Sequence, residues 1–431
     1  MARIITFLLL SLISVYAQPT KRIQVDTADI AYRTSLKNLY RERTAATLSS
    51  FKNMPDKKLG KAMAGQYEKV NSEFIAKIDE GTFVKAAYYE EKINSLFSKI
   101  VETNPQFTAL ASTKILLSFD EAPNAYAIGD GFVIIHLPLF SHLTKEHEIA
   151  FVLCHELAHN LLNHPQNGLK EYSQMMGSSE IAKQTREIEK RKYNKGEGAS
   201  GLYKQIIYGN RKKRREVEFQ ADSLGFVLYR NAFAGKEAIA VKSFGTLEHI
   251  DKEKDSLQPK DFERLFSSAS QPFKPEWLAN DEINGYKYDK NPKFWQVDSL
   301  KTHPDCNHRS QRLAALFGIK TDGSQLTDNA YKEVALQAKY DQLLGLYVLK
   351  EYGKSLYETL LLLKDNEGDV YLKQMVQKNL LRIQEAQKNY TMNKYVDTVN
   401  PRYSNSYNTF LSFLRQLRKS EMTQIINQYS N

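Results

Sequence analysis

Only two of the 431 residues are cysteine, Cys154 and Cys306. That is too few for a disulfide framework, so burial of apolar side chains has to hold the chain together. Long apolar runs are scarce too. Beyond residue 17 no segment approaches the roughly 20 apolar residues that cross a bilayer, so no integral membrane domain is expected there. Neither sign of charge dominates: 60 basic residues stand against 50 acidic ones, for a net charge of +10. The excess concentrates in Arg211-Lys212-Lys213-Arg214-Arg215, a run that suits peripheral contact with an anionic membrane surface and equally suits a solvated helix start. Histidine is sparse as well, with nine in the chain. Its clustering is what the sequence offers instead.

Residues 154–164 read Cys-His-Glu-Leu-Ala-His-Asn-Leu-Leu-Asn-His. His155 and His159 are four residues apart and share a helix face, where two imidazoles can grip one metal ion. Glu156, beside the first, can handle the proton of an activated water. By chance such a pattern arises in about one chain in a hundred of this composition, so it needs a confirming context. Glu148–Leu162 supplies one. Ile149, Val152, Leu153, Leu157 and Leu161 give it buried surface, and neither Gly nor Pro interrupts before Pro165. The plain alternative is a buried helix with two satisfied core histidines.

Zinc chemistry needs a third protein ligand and an open fourth position. An extended form of the motif carries Gly three residues, and a third His six residues, after the second His. Leu162 and Pro165 stand at those places, which excludes it. His164 is one residue short and is expected on the far side of the helix from the ligand pair. The best third ligand is Glu218, in Glu216-Val-Glu218-Phe-Gln-Ala-Asp222-Ser-Leu-Gly225. Glu218 and Asp222 share a helix face. One can then reach the metal while the other accepts a hydrogen bond from a ligand imidazole. Taken alone, these acids read as a solvated face after the basic run; paired with the first motif, the ligand reading prevails. Nearby, residues 113–119 and 132–136 are short apolar runs of strand type, and Gly129-Asp130-Gly131 is a hairpin signal.

The order of these motifs resembles the forty-eighth metallopeptidase family, the gluzincin group of HtpX, BepA and the CAAX prenyl proteases. Two further segments carry the resemblance: Asn124-Ala-Tyr-Ala-Ile-Gly129 with Gly131, and Thr302-His303-Pro304 with Arg309. It covers about residues 85–318. Pro138 departs from it where Gly is usual, and Gln220 where an acidic residue is common. The resemblance implies an α+β, mostly helical fold, with a zincin-like catalytic domain and a small β-sheet beside the metal helix. It implies a zinc endopeptidase with one Zn2+ on His155, His159 and Glu218, and Glu156 as general base. An extended polypeptide substrate would then lie along the strand Asn124, Ala125, Tyr126 and Ala127. It also implies that His303 and Arg309 face the zinc and steady an oxyanion. In the competing reading Arg309 only begins a helix and pairs with an acidic neighbour.

Residues 1–17 read as a secretory signal peptide, cut after Ala17. Export to a periplasmic or extracellular space follows, with a role in cell-envelope protein quality control, and it disfavours a nucleic-acid partner. The expected division is an N-terminal helical region 18–81, a metallopeptidase domain 82–318 and a C-terminal helical region 319–431. Asp29–Tyr40 and Lys61–Ile78 have helical spacing, as do Tyr331–Tyr352, Ser355–Leu363 and Tyr371–Gln387. The C-terminal helices resemble a tetratricopeptide hairpin only weakly and could carry a protein partner. Residues 400–431 look polar, with little to anchor them. The stretch 184–201 reads as an excursion between the two ligand helices. If His303 faces the zinc, Cys154 and Cys306 come close enough for a disulfide. Two other functions compete: a latent or inactive, chaperone-like protein whose His303 occupies the fourth zinc position, and a zinc hydrolase of non-peptide substrates.

Overall fold

The computed structural model describes residues 29–190, 211–250, 256–279, 306–320, 329–400 and 403–430. Residues 1–17, expected to be a signal peptide, His303 and the small-residue run 196–201 lie outside them. The described chain opens with two long helices, α1 (Ile30–Lys52) and α2 (Lys57–Asp79). Each begins on an aspartate that accepts a first-turn N–H: Asp29 from Tyr32 at 3.1 Å and Asp56 from Leu59 at 3.0 Å. These donors have no preceding carbonyl to reach, so the side chain satisfies them. Pro55 stands in the turn between the helices.

After β1 (Phe83–Val84) and α3 (Ala87–Thr103) come β2 (Lys114–Ser118), β3 (Ala125–Gly129) and β4 (Phe132–His136). They form one sheet in the order β1-β2-β4-β3. β2 runs parallel to β4, and the two outer strands are antiparallel to their neighbours. Side chains of a strand alternate between faces. Leu116, Phe132 and Ile134 therefore meet Leu36, Tyr40, Phe74 and Ile78 of α1 and α2. Leu117, Val133 and Ile135 join a separate hydrophobic core on the opposite face. Burial on both faces is why β4 reads as an unbroken apolar run. Asp130 and Gly131, with φ of 51° and 71°, make the tight turn from β3 to β4 that matches strand twist. The Asp130 carboxylate accepts hydrogen bonds from Thr47 and Tyr67, and Arg43 reaches the carbonyls of Asp130 and Gly131. The N-terminal helices thus hold the turn as well as the sheet.

α4 (Leu137–His142) leads into the metal helix α5 (Glu146–Leu161), whose residues are buried from Glu148 to Ala158. α6 (His164–Met176) and α7 (Ser179–Lys190) follow. α8 (Arg211–Ala232) then packs along α5, flanked by α9 (Glu237–Ile250) and, beyond α10 (Pro259–Phe266), by α11 (Cys306–Phe317). The closest approach is at Gly225 of α8. A Cβ there would lie 2.9 Å from His155 Cα and 3.0 Å from His155 N. Both are backbone atoms of the metal helix and cannot swing aside.

A second core is built by α12 (Asn329–Val348), α13 (Tyr352–Leu363), α14 (Val370–Lys388), α15 (Asn405–Gln416) and α16 (Lys419–Gln428). The expectation of a poorly anchored tail is corrected here. Phe410, Phe413, Leu414 and Leu417, then Met422, Ile425 and Ile426, are buried at helical spacing. Their apolar stripe outweighs the polar composition around it. Leu257, Phe262, Phe266 and Trp277, which precede α11 in sequence, also pack in this second core. α12 joins the two cores: Tyr331, Val334 and Ala338 lie in the first, Tyr340 and Leu343 in the second. Cys154 and Cys306 are both buried and no disulfide joins them. No helix among the described residues is long and apolar enough to cross a membrane.

Gly225→Ala is expected to destabilise the protein by about 1–3 kcal/mol, because the added carbon meets fixed backbone. Chemical denaturation checks this; an unchanged midpoint would show that α5 and α8 can separate freely.

Candidate metal centre

The site forms where α5, α8 and α11 meet beside β3. His155 and His159 project from one face of α5, one turn apart, with their Nε2 atoms 3.0 Å from each other. Glu218, on α8, brings Oε2 to 3.5 Å from His155 Nε2 and Oε1 to 3.7 Å from His159 Nε2. One ligand atom from each of these three residues lies within 4.8 Å of the others. Two imidazole nitrogens and a carboxylate are the donor set that zinc prefers. The fit can be tested on protons. His155 Nδ1 lies 2.9 Å from Asp222 Oδ1, so a hydrogen on Nδ1 faces an anion and Nε2 is the atom open to a proton or a metal cation. Two imidazole nitrogens 3.0 Å apart cannot both present lone pairs to each other, so a proton or a metal cation has to lie between them. The three residues fit a metal ion on that ground.

Electrostatics agree. Burial works against a charged His155, but the Asp222 and Glu218 hydrogen bonds outweigh it and hold its pKa at about 10. Whatever attracts a proton to Nε2 this strongly attracts a metal cation as well. His159 is pushed down to about 3, first by burial and then by the neighbouring His155 charge. Burial also acts against the Glu218 carboxylate, yet the hydrogen bond from His155 and the Arg309 charge take it well below the usual carboxylate range. Glu218 is anionic, as a ligand must be.

Glu156 does not point at the three ligand residues with both oxygens. Its Oε2 accepts the Ala127 N–H at 2.9 Å, while Oε1 lies 4.0 Å from His155 Nε2. Burial is the main cause that lifts its pKa to about 7. Farther along α5, Asn160 accepts the Gly129 N–H at 3.2 Å and donates to the Phe132 carbonyl at 3.0 Å. Asn160 therefore ties the β3–β4 turn to the metal helix. Asn124 accepts the His136 N–H through its carbonyl. Alternate residues of an antiparallel strand face the partner, so Asn124 and Tyr126 turn their backbone to β4. Ala125 and Ala127 turn outward, toward the metal helix and the open edge. Tyr126 also sets its ring edge-on to His136, with centroids 5.4 Å apart.

Asp222 is fully buried and carries more than one bond. Besides His155 it accepts two hydrogen bonds from Arg309, both at 2.7 Å, from Nε and from the terminal nitrogen Nη2. The remaining terminal nitrogen of Arg309 lies 3.1 Å from Glu218 Oε2. The guanidinium also stacks over Phe244 at 5.1 Å. Arg309 is 4 % exposed. Its charge is spent on two carboxylates, so it orients the ligands and does not face a substrate. The oxyanion role expected for it gives way to the helix and ion-pair reading. His303, its expected companion, lies outside the described residues.

His164 is also corrected. α5 ends at Leu161, and Asn163 adopts the left-handed backbone with φ 55°. α6 then restarts at His164 and swings it back beside the second ligand, with Nδ1 3.0 Å from His159 Nδ1. Pro165, at the first turn of α6, was the available sequence signal, since proline favours that position. Lys213, Arg214 and Arg215 stand exposed at the start of α8, and Lys213 pairs with Glu171 at 2.6 Å.

Among families of known proteins, the one described as Peptidase family M48 matches residues 85–316. That is more than half of the chain and contains every residue of the centre. No curated protein and no solved structure matches the chain.

Arg309→Met is expected to cost about 3–5 kcal/mol, because it strands the buried Asp222 anion. Arg309→Lys recovers little, since one ammonium cannot replace the paired bonds of a guanidinium. Unfolding curves of the two variants check this, and a Lys variant as stable as the parent would refute the paired geometry as the cause.

Proposed function

The chain belongs to Peptidase family M48 and is a zinc metallopeptidase; from that premise we propose that it is an exported endopeptidase hydrolysing peptide bonds in extended polypeptides. The observation that carries the proposal is the division of labour within Glu156. One carboxylate oxygen is fixed by the Ala127 N–H of the edge strand, and the other faces the cluster of His155, His159 and Glu218. Zinc held by those three residues would polarise the scissile carbonyl and make a water acidic enough to attack near neutral pH.

The chain's own residues supply the rest. Glu156 Oε1 is placed to take the water's proton and later to return it to the leaving amine. A carboxylate shifted to about 7 is well matched to both transfers. No covalent intermediate with the protein is required. The edge of β3 offers the outward backbone of Ala125 and Ala127 to an extended substrate, which would add as a further strand. Because the Ala127 N–H is already committed, the pairing runs through Ala125 and the Ala127 carbonyl. That register sets the substrate against Glu156, which makes a peptide a better fit than a compact non-peptide ester. In this proposal the oxyanion partner is His303, assigned on sequence resemblance alone. Export and work in envelope quality control rest on residues 1–17, and a partner site on the C-terminal helices rests on their weak resemblance to a tetratricopeptide hairpin. The run Arg211–Arg215 would give peripheral contact with an anionic membrane.

Purified protein is expected to hold one zinc per chain and to degrade an unfolded protein such as casein. Glu156→Gln should keep the zinc and lose at least about 10²–10⁴-fold in cleavage rate. Metal analysis together with a proteolysis assay tests this. A zinc-free protein, or a Gln variant that cleaves at the parental rate, would sink the proposal. Chelation should abolish cleavage and lower the melting temperature, and zinc should restore both.

A further inference from the structure

His155 and His159 do the same work at the centre, yet their outer nitrogens meet different partners. His155 Nδ1 lies 2.9 Å from an oxygen of the buried Asp222 carboxylate. Among the described residues no carboxylate meets the outer nitrogen of His159. Its Nδ1 lies 3.0 Å from Nδ1 of His164, and His164 Nε2 lies 3.2 Å from Oε1 of Gln220. The imidazoles of His159 and His164 are steeply inclined, at 73°, with centroids 4.9 Å apart. Protons can be placed along this row in one consistent way. A metal at His159 Nε2 requires a lone pair there, so the hydrogen sits on Nδ1. That hydrogen must be accepted by His164 Nδ1, which puts the His164 hydrogen on Nε2. Nε2–H then donates to the Gln220 carbonyl oxygen, the only kind of oxygen a glutamine offers.

We propose that His164, backed by Gln220, is the positioning residue of the second zinc ligand: it accepts the Nδ1 hydrogen of His159 and thereby fixes the tautomer and ring orientation that present Nε2 to the metal. The role rests on the zinc reading above and deepens it. It also accounts for a glutamine at 220. A neutral amide at the far end is enough to hold the His164 tautomer, and its oxygen cannot act as a second anion competing for the cation. The local chain is shaped for this contact. The left-handed Asn163 and the new helix start at Pro165 return the chain sharply after α5. A continuous helix would have carried residue 164 away. The two links differ in strength. His164 is half-buried while Gln220 is exposed, so water can replace the amide more readily than it can replace the imidazole.

Zinc affinity of the full chain, measured by competition with a chromophoric chelator, tests the role without using activity. His164→Leu removes the acceptor and shields the gap from water, and should weaken zinc about 10–100-fold. His164→Asn puts a carbonyl oxygen close to the place of Nδ1 and should stay within about threefold of the parent, with Gln220→Leu also nearer the parent than His164→Leu. Melting of the zinc-free Leu and Asn variants should be alike, which separates ligand positioning from packing. A Leu variant that binds zinc as tightly as the parent overturns the proposal, as does an Asn variant as weak as the Leu one. Should the Leu variant fail to fold, ¹⁵N spectra of histidine-labelled, zinc-loaded parent decide. A hydrogen on Nδ1 of His159 and on Nε2 of His164 is expected, and a hydrogen on Nδ1 of His164 refutes the row. A parent that takes up no zinc fails the metal reading itself, whereas zinc uptake unaffected by His164→Leu fails this role alone.

Discussion

The carboxylate of Asp222 is the point on which the centre turns. It is completely buried, and a buried anion is tolerated only when it is paired and hydrogen-bonded. Here Arg309 donates to both of its oxygens, and His155 Nδ1 lies 2.9 Å from one of them. Three helices from distant parts of the chain are joined at one functional group. At 2.7 Å in a poorly polarisable interior the attraction is large, but so is the cost of removing both ions from water. The net contribution of such a pair to stability can be close to nothing. What it settles is orientation. The fork of Arg309 allows one rotation of α11 against α8, and the remaining guanidinium nitrogen draws Glu218 toward the same spot. The ligand set is held together by a charge that never meets the metal.

Much of this centre could be read from sequence, because its spacing is local. His155, His159, Glu218 and Asp222 come in pairs four residues apart, and helix periodicity alone puts each pair on one face. The helices of both flanks and the β3–β4 hairpin were legible for the same reason. What escaped depended on where a helix stops or on what a side chain meets far away. His164 was assigned to the far side of α5 by extending a helix that ends three residues earlier. Asn163 takes the left-handed backbone that asparagine tolerates better than most residues, and the geometry changes there. Arg309 could be seen as functional or as half of an ion pair, but its partner lies 87 positions away. The tail beyond residue 400 was hidden differently: many polar residues surround a narrow apolar stripe, and average composition conceals a stripe.

The division of the chain into regions is likewise less simple in space than in sequence. The segment Leu257–Leu278 lies inside the family-matched stretch, yet Phe262, Phe266 and Trp277 pack against Phe413 of α15. α12 contributes to both cores. Tyr89, in the catalytic half, donates to Asp341 of α12 at 2.8 Å, and Lys354 of α13 reaches Glu121, just before β3, at 2.7 Å. The C-terminal helices are therefore continuous with the walls of the centre.

The two N-terminal helices lie before the family-matched stretch, but the sheet treats them as its own floor. Leu116, Phe132 and Ile134 pack on that face against Leu36, Tyr40, Phe74 and Ile78 of the two helices, and the β3–β4 turn loses Thr47, Tyr67 and Arg43 with them. A fragment trimmed to the boundaries of the family would be born with a wet, sticky sheet and a loosened substrate edge. The stretch that matches the family and the smallest unit that covers its own sheet are, in this protein, different lengths of chain.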